Sequence, residues 1–153
     1  MLPNNIIYLA SKSPRRRELL KQIGVHYELL MMREQAPRID VDETPLPHET
    51  AHTYVERIVR LKSDMALQVM RQRRSPVRPI LTADTTVTLD GKILGKPVDK
   101  ADAIRMLTKL SGESHQVLTA VAVAVGDEVK QVLTTSFVTF APLAEDEIRR
   151  YVE

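Results

Sequence analysis

A strand that leads directly into a helix opens the chain and constrains its fold most. Residues 6–10 form an apolar run with the length of a short buried strand. Ser13 then suits the N-cap of a helix, and Pro14 suits its first position, where the missing N–H costs nothing. Apolar residues at helical spacing predict a helix over about 14–23, and Gly24 ends it. This strand–helix unit indicates an α/β fold.

The other elements extend this interpretation to the whole chain. Strands are predicted at about 25–31, 80–89, 92–94, 117–125 and 129–140, helices at about 50–72, between Asp99 and Gly112, and from about 144, and a loop at 34–49. Asp90-Gly91 is typical of a hairpin turn. Hairpins combined with crossover helices favour a mixed sheet. The prediction is one α/β domain over 1–153, with a mixed sheet flanked by helices.

The composition excludes several classes of protein. Because there is no cysteine, disulfides, thiol catalysis and cysteine-ligated zinc are excluded. No apolar run approaches the ~20 residues of a membrane span, and the N-terminus lacks the layout of a secretory signal. We therefore expect a cytoplasmic protein with no membrane partner. A formal net charge of +2 and sparse, scattered aromatic residues argue against a nucleic-acid partner.

Three arginines, Arg15, Arg16 and Arg17, occupy the first turn of the predicted first helix. Cations are unfavourable there, because the N-terminal end of a helix carries a partial positive charge. Free backbone N–H groups, the hydroxyls of Ser11 and Ser13 and the guanidinium groups would together suit a bound polyanion. The alternative is a solvated basic turn on the surface. The local sequence leaves both interpretations open.

Lys62 and Asp84 are polar residues at positions where the pattern predicts apolar ones. Lys62 lies four residues after Ile58, on the apolar stripe of the helix at 50–72. It either extends along its stem into water or reaches a carboxylate or phosphate in a cleft. Asp84 lies in the middle of a strand, on the same face as neighbouring threonines. That face is either wet or presents the carboxylate as a metal ligand or general base.

Two further groups of residues are weak signals by themselves. Asp40, Asp42 and Glu43 cluster in the predicted loop, and their oxygens would suit Mg²⁺ or Mn²⁺, although acidic loops are commonly just solvated. Lys96 lies in the turn Gly95-Lys96-Pro97, where a surface lysine is the simpler interpretation.

Residues 48–52 spell the H-E-x-x-H pattern of zinc peptidases. The pattern falls at the proline-preceded start of a helix, whereas a zinc site needs both histidines on one helical face. His115 is the only later histidine, so a third ligand is not evident. A chance match is the better explanation.

Several blocks of the sequence, taken in order, resemble the Maf family of nucleoside triphosphate pyrophosphatases. The blocks are Ser11-x-Ser13-Pro14-Arg15-Arg16-x-x-Leu19-Leu20, Asp42-Glu43-Thr44-Pro45, Tyr54-Val55 with Lys62, Ala83-Asp84-Thr85, Leu94-Gly95-Lys96-Pro97, and Leu110-Ser111-Gly112-x-x-His115-x-Val117-x-Thr119. They extend over nearly the whole chain. The first and fourth blocks resemble the branch of the family that acts on dTTP and UTP.

This resemblance implies a function and a fold. It implies hydrolysis of a nucleoside triphosphate to the monophosphate and pyrophosphate, with Mg²⁺ or Mn²⁺ as cofactor. It also implies an elongated α/β fold related to inosine triphosphatases, with a cleft between two lobes, and a homodimer in the cytoplasm.

The resemblance also implies roles for the unusual residues. Those expected to bind the triphosphate at the helix start are Ser11, Ser13, Arg15 and Arg16. Lys62 and Lys96 would contact phosphate oxygens and neutralise charge as the P–O bond breaks.

The resemblance also implies which residues hold the metal and which residue is the general base. Glu43 and Asp84 would hold the metal, and Asp84 is also the candidate base for the attacking water. Thr85 would help to read the pyrimidine. Strict alternation along a strand points Thr85 away from the face of Asp84, so a bulge or a strand end is needed to bring the two together.

The resemblance is incomplete in one respect. Family members continue for several tens of residues beyond the last predicted helix, with a segment that carries a site glutamine, and nothing in 1–153 matches it. We therefore expect a domain that is C-terminally incomplete relative to the family. Two alternatives stay open: an inactive relative acting through protein contacts in cell-division arrest, and a regulatory or nucleic-acid-binding protein whose arginines bind phosphates.

Overall fold

The computed structural model of the chain describes residues 5–30 and 41–153. In this part of the chain the strands are β1 (Ile6–Leu9), β2 (His26–Leu29), β3 (Ile80–Leu89), β4 (Lys92–Leu94), β5 (Ser114–Val125) and β6 (Glu128–Thr139). The helices are α1 (Pro14–Gln22), α2 (Ala51–Gln72), α3 (Lys100–Leu110) and α4 (Glu145–Val152). Each of them was predicted from the sequence. Two predicted segments lie partly outside the described residues. They are the end of the second predicted strand, at residue 31, and residues 34–40 of the predicted loop, which include Asp40.

The largest difference in boundaries is at the start of β5, which begins at Ser114 and not at residue 117. Residues 114–116 are Ser, His and Gln, so the apolar pattern of the sequence gave no strand signal for them. They pair with the end of β6, and the hydroxyls of Ser114 and Thr139 lie 2.7 Å apart across the two strands. Cross-strand pairing therefore extends the strand where the apolar pattern stops.

The strands form one mixed sheet in the order β2-β1-β3-β5-β6, with β4 paired to β3. β1 is parallel to both β2 and β3. The pairs β3–β4, β3–β5 and β5–β6 are antiparallel. The prediction of an α/β domain with a mixed sheet flanked by helices is therefore confirmed.

Helix α2 covers one face of the sheet. Its residues Val55, Ile58 and Val59 are fully buried, and Val55 and Val59 belong to one apolar cluster with Leu118 and Ala120 of β5. Alternate small residues on β5 let the helix lie close to the sheet. The side of α2 that faces away from the sheet carries charged residues. Among the described residues, no helix is both long and apolar enough to cross a membrane.

One edge of β3 is left unpaired by the described strands over part of its length. β1 pairs with this edge at Ile80 and Leu81, and β4 pairs with it from Val87 to Leu89. Over residues 82–86 no other described strand pairs with this edge. From β1 the chain goes to β2 on one side of it and then returns to β3 on the other side. The unpaired stretch therefore lies beyond the carboxyl end of β1, at the point where the strand order reverses. Ligands of α/β proteins commonly bind at such a position.

Candidate active site

Lys62 lies at the centre of the site and joins two carboxylates. Its Nζ is 2.7 Å from Oδ1 of Asp84 on β3 and 2.8 Å from Oε1 of Glu43 in the loop before α2. Only 28% of its side chain is exposed. The side chain of Lys62 therefore does not extend into water. It reaches a carboxylate, which was the second of the two interpretations of this lysine.

The pKa of Lys62 is raised by these partners. Burial acts in the opposite direction and is the largest single cause, since it disfavours the charged ammonium. The hydrogen bonds and charges of Asp84 and Glu43 together outweigh it. Lys62 is therefore a fixed cation and cannot serve as a base near neutral pH.

Asp84 lies on the face of the sheet that α2 covers. Thr82, Thr86 and Thr88 share this face and are all buried, so the alternative of a wet face is wrong. The sequence suggested water because threonine is equally common on exposed strand faces, and only the packing of α2 distinguishes the two cases. Oδ1 of Asp84 accepts from Lys62, and the Thr86 hydroxyl lies 3.5 Å from Oδ2. Oδ2 is therefore the oxygen with room for a further ligand.

The loop that carries Glu43 is fixed to α2 by two residues whose roles the sequence did not reveal. The hydroxyl of Tyr54 donates to the main-chain carbonyl of Glu43 at 2.7 Å. Arg57 donates to both carboxylate oxygens of Glu49, at 2.6 and 2.9 Å, and to the carbonyl of Thr44 at 3.2 Å. Tyr54 belonged to a recognised sequence block, but nothing in the sequence indicated its contact with Glu43.

The start of α1 forms the opposite wall. Ser13 occupies the N-cap position, but its side chain makes no capping hydrogen bond. The Ser11 hydroxyl instead accepts from the Ser13 backbone N–H at 3.2 Å and from the Arg16 guanidinium at 3.1 Å. Burial lowers the pKa of Arg16, and the negative charge of Asp84 acts against this. Arg16 therefore turns inward toward Asp84, and the hydroxyl of Ser13 is not used for capping.

Arg15 does not share this orientation. It is exposed and does not line the cavity into which Arg16 points. Successive residues on a helix are rotated by about 100°, so adjacent side chains leave in different directions. The first turn of α1 therefore divides its arginines between solvent and the site.

A single cavity of about 960 Å³ brings the other predicted residues together. It is lined by every predicted site residue except Arg15. Leu30, Val41, Ala66 and Val69 add an apolar side. This volume is in the range of small-molecule sites, with a few polar groups set among apolar ones.

Lys96 and Thr85 line this cavity without joining the ionic cluster. Lys96 is exposed and has no ion pair with the described residues. The Thr85 hydroxyl lies 3.1 Å from that of Thr119, on the face opposite Asp84. The pairing of β3 with β5 is continuous through this point, so there is no bulge to turn the Thr85 side chain. The structure therefore does not bring the Thr85 hydroxyl to Asp84.

The zinc-peptidase pattern has no structural support. His48 precedes α2 in a left-handed conformation with φ of 61°, and His52 lies inside the helix. Glu49 between them is engaged by Arg57. No group of three or more His, Cys, Asp or Glu side chains suited to a metal ion is found in residues 5–30 and 41–153.

Two carboxylates remain that fit a hard divalent cation. Glu43 and Asp84 both contact the same Nζ, so the two carboxylates lie on either side of one ammonium and close to each other in the cavity. Mg²⁺ is commonly bound by one or two carboxylates, with water and substrate phosphates completing its shell. The donor set therefore fits Mg²⁺ or Mn²⁺ in the presence of a phosphate ligand and does not form a closed protein cage.

Known proteins similar to this chain belong to one family. The family model described as Maf-like protein matches residues 6–153. A dTTP/UTP pyrophosphatase of Dechloromonas aromatica is 48% identical over 147 residues, which cover 95% of this chain and 73% of that protein. A dTTP/UTP pyrophosphatase of Nitrosospira multiformis is 52% identical over 149 residues, which cover 97% of this chain and 72% of that protein. The chain belongs to the Maf family.

Proposed function

We propose that this chain hydrolyses dTTP and UTP to the nucleoside monophosphate and pyrophosphate. The observation that supports this most is the position of Lys62 between Glu43 and Asp84, in a cavity that Arg16 and the start of α1 line on the other side. This arrangement offers carboxylates for a cation and cations for a triphosphate in the same space. The relatives described above carry the name of this activity.

The triphosphate would bind at the start of α1. The first N–H groups of a helix are free to donate to an anion, and here no side chain caps them. Arg16 adds a half-buried guanidinium held by Ser11, and the hydroxyl of Ser13 makes no capping hydrogen bond. Arg15 faces solvent, so we assign phosphate binding to Arg16 and expect Arg15 to contribute through long-range charge only.

Glu43 and Asp84 would hold the divalent cation. When bound, Mg²⁺ or Mn²⁺ neutralises charge on the phosphates and makes the phosphorus more electrophilic. Tyr54 and Arg57 would keep the Glu43 loop in place for this purpose, since both bind main-chain carbonyls of that loop.

The chemical step would use Asp84 as base. Oδ2 of Asp84 accepts a proton from a water molecule while the oxygen of that water forms a bond to the α-phosphorus. The bond from this phosphorus to the oxygen bridging to the β-phosphate breaks, and pyrophosphate leaves with the electron pair. Lys62 and Lys96 would stabilise the charge that moves onto the leaving oxygens.

The resemblance to the family further supports a homodimer in the cytoplasm as the working form. The nucleic-acid-binding alternative is less well supported, because Arg16 is turned into a cavity and not displayed on a surface.

Product analysis tests this function directly. The protein is incubated with Mg²⁺ or Mn²⁺ and a panel of dTTP, UTP, CTP, ATP and GTP, and nucleotides and pyrophosphate are separated and quantified. The expected result is pyrophosphate and monophosphate in equal amounts, fastest from dTTP and UTP, and none in the presence of EDTA. Release of diphosphate and inorganic phosphate, or no turnover of any triphosphate, would contradict the proposal.

A further inference from the structure

The ammonium of Lys62 and a divalent cation compete for the same carboxylate oxygens. Nζ of Lys62 lies 2.7 Å from Oδ1 of Asp84 and 2.8 Å from Oε1 of Glu43. Mg²⁺ binds carboxylate oxygens at about 2.1 Å, so it has to lie closer to these oxygens than Nζ does. Two cations at such short range repel each other. A metal ion held between the two carboxylates and an ammonium held there are therefore alternatives.

The two oxygens of Asp84 make this competition direct. The proposed function gives Oδ2 to the attacking water, so a cation held by Asp84 takes Oδ1, which is the oxygen that accepts from Lys62. Only 13% of the Asp84 side chain is exposed, and the pairing of β3 with β5 fixes its main chain. Asp84 therefore stays in place, and Lys62 is the member of the pair that has to move.

Lys62 has both the freedom to move and a place to go. A lysine ammonium is carried on a flexible four-carbon stem, so Nζ can change position while the main chain of α2 stays fixed. Lys62 lines the same cavity as Ser13 and Arg16, where the triphosphate would bind. A phosphate oxygen in that space is a negatively charged acceptor for the ammonium.

We propose that Lys62 exchanges partners as the substrate binds, an inference that rests on the proposed function. Lys62 gives up the carboxylates of Glu43 and Asp84 to a divalent cation, and its ammonium passes to a phosphate oxygen of the triphosphate. The hydroxyl of Tyr54 holds the main-chain carbonyl of Glu43, so the Glu43 loop stays beside Asp84 after Lys62 has left.

This exchange couples the binding of the metal to the binding of the triphosphate. The side chain of Lys62 is only 28% exposed, and an ammonium released there without a new acceptor costs free energy. A divalent cation that binds alone incurs this cost. A cation that binds together with a triphosphate avoids it, because the phosphate supplies the new acceptor. Each ligand therefore strengthens the binding of the other, and the site prefers the metal–triphosphate complex to the free metal ion.

Scalar couplings across hydrogen bonds, measured by NMR, test the exchange in the unaltered protein. In the full chain labelled with ¹⁵N and ¹³C, Nζ of Lys62 should couple to the carboxylate carbons of Asp84 and Glu43 before any ligand is added. With saturating Mg²⁺ and the non-hydrolysable α,β-methylene-UTP, both couplings should disappear and a coupling to ³¹P should replace them. Couplings to both carboxylates that persist while the nucleotide is bound would overturn the proposal.

A pair of lysine substitutions tests the competition with the metal ion alone. Lys62→Met and Lys96→Met each remove one cation from the cavity, but Lys96 is exposed and has no ion pair within the described part of the chain. Mn²⁺ binding without any phosphate is measured from the EPR signal of the free ion. We expect Lys62→Met to bind Mn²⁺ at least about tenfold more tightly than the original protein, a change of about 1.4 kcal/mol. Lys96→Met should change the affinity by less than about threefold, because solvent and salt screen an exposed charge. Equal effects of the two substitutions would overturn the proposal.

Neither measurement depends on turnover. Circular dichroism establishes that Lys62→Met is folded, and the couplings in the unaltered protein decide the question if it is not. If no triphosphate is hydrolysed, the proposed function fails, whereas the couplings still show whether Lys62 changes partners. If hydrolysis occurs while Lys62 keeps both carboxylates, the exchange alone is wrong.

Discussion

The ammonium of Lys62 and the carboxylate of Asp84 meet at 2.7 Å across the interface between α2 and β3. One residue comes from the apolar stripe of a helix, and the other comes from the middle of a strand. Burying either charged group without a partner would cost free energy. The contact gives each charge a partner of opposite sign. Because Asp84 retains a second oxygen that faces the cavity, the pair supports the fold and leaves a carboxylate available for chemistry.

Replacement of Asp84 separates chemistry from binding. Asp84→Asn keeps the shape of the side chain but removes the base and one metal ligand. We expect pyrophosphate release to fall by at least about 10²-fold, the usual contribution of a general base, while nucleotide binding is largely retained. Asp64→Asn is the matched control, since Asp64 lies on the solvent side of α2 and its one ion pair within residues 5–30 and 41–153 is with Arg60. Near-normal turnover of Asp84→Asn would remove Asp84 as the base.

Lys62 makes the stability of the protein sensitive to alkaline pH. The pKa of Lys62 is raised in the folded protein above its ordinary value of 10.5. Its contribution to stability is therefore complete below pH 10.5 and is lost as the pH rises further, through the folded pKa. Lys62→Met should lower the free energy of unfolding by about 1–2 kcal/mol at pH 8, less than for a fully buried pair.

Urea unfolding at pH 8 and above pH 10.5 measures this effect. The difference between the original protein and Lys62→Met should shrink at the higher pH, where other titrating groups affect both proteins alike. A difference that does not change with pH would show that the charge of Lys62 is not what stabilises the fold.

Arg16 and Arg15 form a natural pair of test and control. Arg16→Ala removes a half-buried guanidinium from the cavity wall, and Arg15→Ala removes an exposed one from the same turn. We expect Arg16→Ala to raise KM for the triphosphate about tenfold or more, corresponding to a lost charge-assisted hydrogen bond. Arg15→Ala should change KM less than about threefold. Similar effects of the two substitutions in steady-state kinetics would mean that the basic turn acts only through its total charge.

The Arg57 contacts predict an effect on the metal requirement. Arg57→Ala releases the Glu49 carboxylate and the Thr44 carbonyl, so the loop that carries Glu43 is held less firmly. The concentration of Mg²⁺ at half-maximal activity should rise several-fold, while kcat at saturating Mg²⁺ changes little. Arg60→Ala, which affects an exposed pair with Asp64, is the control. An unchanged Mg²⁺ requirement in Arg57→Ala would show that Glu43 is positioned by other contacts.

The sequence predicted the elements of this fold because their signals are local. Asp90-Gly91 marks a hairpin by itself, and the apolar stripe of α2 is readable from its period alone. The polar residues of the site were visible as exceptions to the same patterns. Strand alternation also predicted the direction of the Thr85 side chain, and the continuous ladder agrees with it.

The remaining features depend on distances that a linear pattern does not contain. Whether Arg15 or Arg16 faces the site depends on how α1 is rotated against the sheet. The contact of Tyr54 with the carbonyl of Glu43 joins residues on a helix and a loop, and no periodicity links them. The free edge of β3 follows from where β1 and β4 end relative to each other, which only the three-dimensional register defines.

If the triphosphate binds at the start of α1 as proposed, the missing side-chain cap at Ser13 couples ligand binding to local folding. A helix of nine residues without a side-chain cap or an acidic residue in its first turn has a marginal N-terminal end. An anion that accepts from the free N–H groups supplies the missing cap, so the occupied protein has a better-formed first turn than the empty one. The free energy of ordering this turn is then subtracted from the affinity for the triphosphate. A substitution that orders the turn in advance would tighten binding without touching the ligand.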